Sequence, residues 1–285
     1  MAAPPYVLLS AAGGSYGWML EALSQQYGGT LESAVLTDQT PASRPFTLAV
    51  GSKACEAMIR YTDEEQRTLC LFLPSQTFVE LTSGARGQQL LADRRISAIY
   101  LDQPLQRQML LAQMLKPELK TIGTVLGPGS DSQAERFEQA AESLGLTPLI
   151  GRLQGSENPV RALTPVIEQS DAFLPLPDSS VFNRASAKWI LYLTLKNRIP
   201  LIGFSANYAN AGAVVALYSD LGQIAQQAVD IINNRVSDAG QLPPPSYPQA
   251  FSISINHTAA GNLDMTLPTS SSLVDELKRL ERNAR

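Results

Sequence analysis

The amino-acid sequence predicts an α/β protein built as two successive doubly wound units, each a mainly parallel sheet with helices on both faces. Three observations carry that prediction. Short β-rich apolar runs alternate with helically spaced apolar residues from Tyr6 onward, the pattern of parallel strands joined by crossover helices. The alternation comes to a stop at Asp102-Gln103-Pro104 and then begins again. Finally, 285 residues is long for one hydrophobic core, so two lobes follow naturally.

In the first unit, residues 6–10 form a strand, and the loop Ala11-Ala12-Gly13-Gly14-Ser15 leads into a helix with Tyr16, Met19, Leu20, Leu23 and Tyr27 at helical spacing. A second strand is expected at 33–37. Phe46 to Ser52 reads as a third strand entering a helix over Lys53 to Tyr61, and Leu69 to Leu73 as a fourth strand stopped by Pro74. Residues 75–94 show the least periodicity, and Ile96 to Leu101 closes the series as a strand.

The second unit opens with a helix over 105–115 and the buried run Thr121 to Leu126, broken by Gly127-Pro128-Gly129. Ser130, Asp131 or Ser132 can cap the helix that follows, whose Ala134, Phe137, Ala140, Ala141 and Leu144 share a face and which Gly145 ends. Strands are expected at 147–151, 172–176, 200–204 and 213–218, with helices over Pro159 to Gln169 and Ser180 to Lys196. In the last of these, Val181, Phe182, Ala185, Trp189, Ile190 and Leu193 are expected to face inward. Asp220 caps a helix striped with Leu221, Ile224, Ala225, Ala228, Val229, Ile231 and Ile232. The segment Leu242 to Pro248 is too rich in proline for a central strand and reads as a stiff connector. Phe251 to Ile255 alternates as a half-exposed edge strand, and a short charged helix over Ser272 to Asn283 ends the chain.

Composition excludes several functions. With 22 basic and 26 acidic residues the net charge is −4 and no basic stripe forms, so no nucleic-acid partner is expected. No apolar run approaches the roughly 20 residues that span a bilayer. The start of the chain lacks the basic and apolar regions of a signal peptide, which fits a cytoplasmic protein or one trimmed to its mature start. Cys55 and Cys70 have no Cys or His neighbours at zinc-ligand spacing. They read as two small buried thiols, or as a disulfide if the compartment is oxidising.

Ligands of open parallel sheets bind beyond the carboxyl ends of the strands, which makes the turn at 127–132 a candidate wall. A dinucleotide reading of Gly127-Pro128-Gly129 fails at the third glycine, replaced by Ser132, and no cofactor or metal is expected. Gly13-Gly14-Ser15-Tyr16-Gly17 matches the turn that presents a nucleophilic serine, and His257, the only histidine, lies downstream with Asp171 and Asp178 between. The context differs, because that turn follows the first strand and no oxyanion loop precedes it. A glycine-rich loop admitting a ligand explains the same residues. What the strand ends do offer in quantity is neutral hydrogen-bonding side chains with aromatic neighbours, suited to reversible small-molecule binding.

Five segments of the second half share a further property. Thr121 to Leu126 with its turn, Asp171 to Val181, Arg198 to Ser205, Gly212 to Gly222 and Ile255 to Pro268 together resemble the ABC transporter substrate-binding family that includes tryptophan-binding proteins. The resemblance implies a type-1 periplasmic binding protein fold, with a first lobe of residues 1–102 plus 213–242 and a second of 103–212 plus 247–285, joined by three crossings. It implies a non-enzymatic solute-binding protein, monomeric, periplasmic or lipid-anchored, that closes on a small organic ligand and passes it to an ABC permease. The expected ligand contacts are Ser15, Tyr16, Ser75 and Gln76 in the first lobe, Ser130, Asp131, Asp178, Ser179, Ser205 and Tyr208 in the second, and Tyr218. Leu217 and Ser219 stand where the family commonly has an acid and an aromatic residue, so the ligand is left open. Two alternatives accompany this reading: the same fold used as a sensor or envelope-assembly interaction protein, and a serine hydrolase using Ser15 and His257.

Overall fold

The computed structural model describes residues 5–39, 41–154, 158–234 and 241–283; the expected lobe ends at 1–4 and 284–285, and the stretch 235–240, lie outside them. The chain divides into two compact units, one of Met1–Asp102 with Ser219–Ala250 and one of Gln103–Tyr218 with Phe251–Arg285. No helix among the described residues is long and apolar enough to cross a membrane.

The first unit runs β1 (Tyr6–Leu9), α1 (Gly14–Tyr27), β2 (Glu32–Val35), β3 (Phe46–Val50), α2 (Ser52–Tyr61), β4 (Arg67–Leu71), α3 (Ser75–Leu81), α4 (Ala85–Ala92) and β5 (Ile96–Ile99). All five strands are parallel, in the order β2-β1-β3-β4-β5. The central strands are apolar throughout because both faces are covered, and their side chains alternate between two cores. Val7, Leu9, Leu48, Val50, Leu69 and Leu71 point to a core shared with Met19 and Leu23 of α1 and with the helix Leu221–Asn234. Tyr6, Leu8, Ala49 and Cys70 point to the opposite core, shared with α2, α3 and α4. There Cys55 of α2 and Cys70 of β4, both fully buried, form a disulfide, so the second of the two readings holds. Residues 75–94, weakly periodic in sequence, are two short helices separated by Thr82-Ser83-Gly84.

The second unit contains α5 (Leu105–Leu115), β6 (Thr121–Leu126), α6 (Ala134–Ser143), β7 (Thr147–Arg152), α7 (Pro159–Gln169), β8 (Ala172–Phe173), α8 (Arg184–Lys196), β9 (Ile202–Gly203), α9 (Ala206–Ala211) and β10 (Val215–Tyr218). The helix Leu221–Asn234, α10, belongs to the first unit; β11 (Ser252–Ile255), α11 (His257–Asn262) and α12 (Ser270–Asn283) complete the second. Parallel ladders β7-β6-β8 and β9-β10 are joined by a parallel bridge between Phe173 and Leu201, and β11 closes the far edge antiparallel to β10. Counted from its own first strand, this unit repeats the order of the first: second, first, third, fourth, fifth.

Three expectations change. The chain returns to the first unit at Ser219 rather than 213, because Val215–Tyr218 hydrogen-bonds into the second sheet, and it leaves after Ala250. Helix α8 starts at Arg184, not Ser180: Asn183 caps it, accepting from the N–H groups of Ala185 and Ser186 while Ser186 Oγ accepts from Asn183 N–H. That start sets a phase in which Ser186, Ile190, Leu193 and Thr194 are buried and Trp189, expected inside, is 51% exposed.

Candidate functional site

In a sheet of this strand order the crevice opens where the order reverses, at the carboxyl ends of the first and third strands. In the first unit these are β1 and β3. Ser10, just past β1, is buried, and its hydroxyl accepts a hydrogen bond from Ala54 N–H in the first turn of α2 at 2.9 Å. Gly51, just past β3, has φ +92°, and a Cβ there would sit 2.5 Å from the Tyr16 ring and 2.6 Å from Ser10 Oγ. Only glycine meets both conditions. Tyr16 is half-buried and packs edge-on against Phe72 with ring centroids 5.7 Å apart. Beyond this floor, residues 11–15 are exposed, and the Ser15 hydroxyl makes no hydrogen bond with a described residue. Trp18, one helical turn on, is 63% exposed on the same side of α1 as Ser15, a residue that the i, i+3 spacing could have flagged.

Ser75 and Gln76 begin α3 at the end of β4, but the fold already uses them. Ser75 is 1% exposed, and both its N–H and its hydroxyl donate to the Asp102 carboxylate at 2.6 Å. Tyr247 reaches the same hydroxyl at 3.4 Å, and its ring packs on Tyr100 at 5.0 Å. Gln76 Nε2 donates to Glu80 at 2.8 Å. Ser75 therefore ties Asp102, the end of the unit's first segment, to Tyr247 near the end of its second. Asp102, its partner, lies 27 residues away, a pairing that no local pattern announces.

In the second unit the reversal lies between β6 and β8. Ser130 is fully buried; its hydroxyl accepts from Gly127 N–H at 3.0 Å and donates to Asp178 Oδ2 at 2.8 Å, bridging the crevice floor. It does not cap the following helix, as expected from sequence, because that hydroxyl is committed across the crevice. The other oxygen of Asp178 accepts from Ser180 N–H at 2.9 Å and from its hydroxyl at 2.5 Å. Partial burial pushes the Asp178 carboxyl up, but the hydrogen bonds from Ser180, Ser130 and the Gly129 backbone outweigh it and hold the group below the usual carboxylate range. A Cβ on Gly127 would meet Ser180 Oγ at 2.2 Å and Asp178 Oδ2 at 2.8 Å, so a side chain here would push this pair aside.

The other expected residues of this unit stand at neighbouring strand ends. Ser179 is exposed beside Asp178, and its carbonyl accepts from Asn183. Ser205 and Tyr208, both half-buried, bracket the start of α9; the Tyr208 ring lies 4.8 Å from Phe204, and burial pushes its phenol up to about 12. Tyr218, at the end of β10, shares a 2.9 Å hydrogen bond with Ser254. Asp131 stands apart as half of an exposed ion pair with Arg152 at 2.9 Å.

The two acids named for a hydrolase have other partners. Asp171 holds Lys116 at 2.9 Å and the N–H groups of Lys120 and Thr121, while Asp178 accepts from Ser130 and Ser180. His257 opens α11, and among the described residues its side chain makes no hydrogen bond to Asp171 or Asp178. Among the described residues no group of three or more His, Cys, Asp or Glu side chains could hold a metal.

The family profile of the ABC transporter substrate binding protein matches residues 96–275. No curated protein matches the chain in sequence. Among solved structures, a conserved domain protein from Vibrio cholerae is 18% identical with a TM-score of 0.64, covering 96% of this chain and 98% of that one. An ABC domain from Streptococcus pneumonia in complex with L-Trp is 14% identical with a TM-score of 0.63 over the same shares, 96% and 98%. The ligand-free, open CD0873 from Clostridium difficile, a substrate binding protein with adhesive properties, is 14% identical with a TM-score of 0.67, covering 94% and 97%. At these identities the likeness is one of fold, and that fold is the type-1 periplasmic binding protein.

Proposed function

The chain belongs to the ABC transporter substrate binding protein family, and from that premise we propose that it is the solute-binding component of an ABC transport system, working as a monomer outside the cytoplasm. It binds a small organic ligand between its lobes and closes on it, and an ABC permease receives the ligand. The observation that carries this reading is Asp178, a half-buried carboxylate held ionised at the reversal point of the second sheet. It offers a fixed acceptor for a ligand N–H or O–H, with Ser179, Ser205, Tyr208 and Tyr218 near the same sheet end, while Ser15 and Tyr16 supply the first unit's contacts. The buried Cys55–Cys70 disulfide supports an oxidising compartment, periplasmic or at the cell envelope. Amino acids head the ligands to try, since the similar pneumococcal domain is in complex with L-Trp. Thermal-shift and calorimetric screens of amino acids, nucleosides, sugars and small cofactors should return a ligand whose affinity falls at least tenfold in Asp178→Asn; silence across all four classes would sink the proposal. A second reading, an envelope interaction protein on the same fold, draws on the exposed face of α8.

A further inference from the structure

Among the described residues seven large apolar side chains are exposed, and three stand on one helix: Trp189 (51%), Tyr192 (54%) and Leu195 (47%) of α8. Their three-residue spacing puts them on a single face, where the Trp189 and Tyr192 rings meet edge to face with centroids 6.1 Å apart. Lys188 and Lys196 are exposed on the same face, and α8 carries no Asp or Glu, so this patch is cationic on a chain of net charge −4. Directly beside it opens a pocket of about 270 Å³, walled by Leu191, Leu195, Ile199, Leu201, Val214 and Leu263. Leu201 and Val214 immediately precede β9 and β10, so the pocket lies at the amino ends of these strands, opposite to Ser130 and Asp178. It is not part of the candidate ligand site.

We propose that this face docks a protein partner that seats an apolar side chain in the pocket and sets acidic residues against Lys188 and Lys196. Paired Trp and Tyr beside a concave apolar pocket are the usual anchors of protein interfaces. The pocket falls below the roughly 300–1,000 Å³ of sites that enclose a drug-sized ligand, but it has room for one or two apolar side chains. A second copy of this chain is a poor occupant, because a two-fold pairing would bring the same lysines face to face. A lipid surface is also a poor match, since electrostatic membrane attachment uses clusters of about four to eight basic residues and has no use for a pocket.

The test is to pan a phage-displayed random peptide library on the intact protein and synthesise the enriched sequence. An apolar anchor flanked by Asp or Glu is expected. The synthetic peptide should bind at least about tenfold more weakly to Trp189→Ala/Tyr192→Ala. It should also bind more weakly, with little remaining salt dependence, to Lys188→Glu/Lys196→Glu. All four side chains are exposed, so melting temperatures should match the parent protein and certify the fold. Failure to enrich any sequence would overturn the proposal, as would equal affinity for the Trp189→Ala/Tyr192→Ala protein. So would co-sedimentation with phosphatidylglycerol vesicles, or a concentration-dependent dimer, if the same substitutions abolish it.

Discussion

The two units share a strand order and differ in what stands where that order reverses. In the first, Ser10 turns its hydroxyl into the protein to serve Ala54 N–H, and the floor is finished by the Tyr16 ring over Gly51. In the second, Ser130 turns its hydroxyl toward a carboxylate, and Asp178 stays ionised above the crevice floor. One topology thus makes a neutral aromatic floor and a charged floor from the same small residues, glycine and serine. The sheet decides where a wall stands, and the partner of one serine hydroxyl decides its charge. The first floor is aromatic, with Ser15 and Trp18 exposed beyond it, whereas the second carries a carboxylate.

The largest test of this division is reduction. Breaking Cys55–Cys70, which closes a loop of 15 residues, should cost the first unit about 3 kcal/mol and leave the second untouched. Denaturant unfolding with and without dithiothreitol should move the transition of one unit only; equal shifts in both would mean that the units do not unfold separately. Next come the two serine partners. Asp178→Ala strands the buried Ser130 hydroxyl and should cost about 1–3 kcal/mol together with ligand affinity, whereas Ser10→Ala should cost about 1 kcal/mol and leave affinity alone. A loss of affinity in Ser10→Ala would add Ser10 to the ligand contacts proposed for the first unit.

Acid sharpens the contrast further. The folded Asp178 carboxyl lies below its unfolded value of about 3.9, so its contribution is present above that pH and is lost as pH falls through the folded value. Stability of the parent protein should therefore drop more steeply below about pH 4 than that of Asp178→Asn. The floor of the first unit, formed by Ser10, Tyr16 and Gly51, has no acid to contribute. The smallest effect belongs to Asp131: breaking its exposed pair with Arg152 by Asp131→Ala should change stability by about 0–1 kcal/mol, since solvent screens such pairs. If affinity for the ligand nevertheless fell, the charged wall would extend further than Asp178.

The alternation of strands and helices was legible because central parallel strands are continuous apolar runs, as in Phe46–Val50 and Thr121–Leu126, and because Pro104 and the run Pro243–Pro245 mark where the pattern halts. Shorter pieces were hidden. Helices α3, α4, α9 and α11 have six to eight residues, too few turns to establish a period. The misplacing of Trp189 has a different cause: it stands at helical spacing from Phe182, which precedes the cap at Asn183 and so lies outside the helix, while Ile190 and Leu193 are buried as expected. At the site, polar residues at strand ends were readable, but their partners were not. Ser75 looks as available as Ser15 until the fold brings Asp102 to it, and Ser130 looks like a cap until Asp178 arrives from 48 residues away.

Gly51 and Gly127 give this fold a property that extends to other sequences. Each stands immediately after a strand at a reversal point, and each faces atoms that a methyl group could not avoid. A chain of the same topology with any side chain at either position must lower, tilt or rebuild that floor. The two positions therefore set the height of these two floors, each within its own unit.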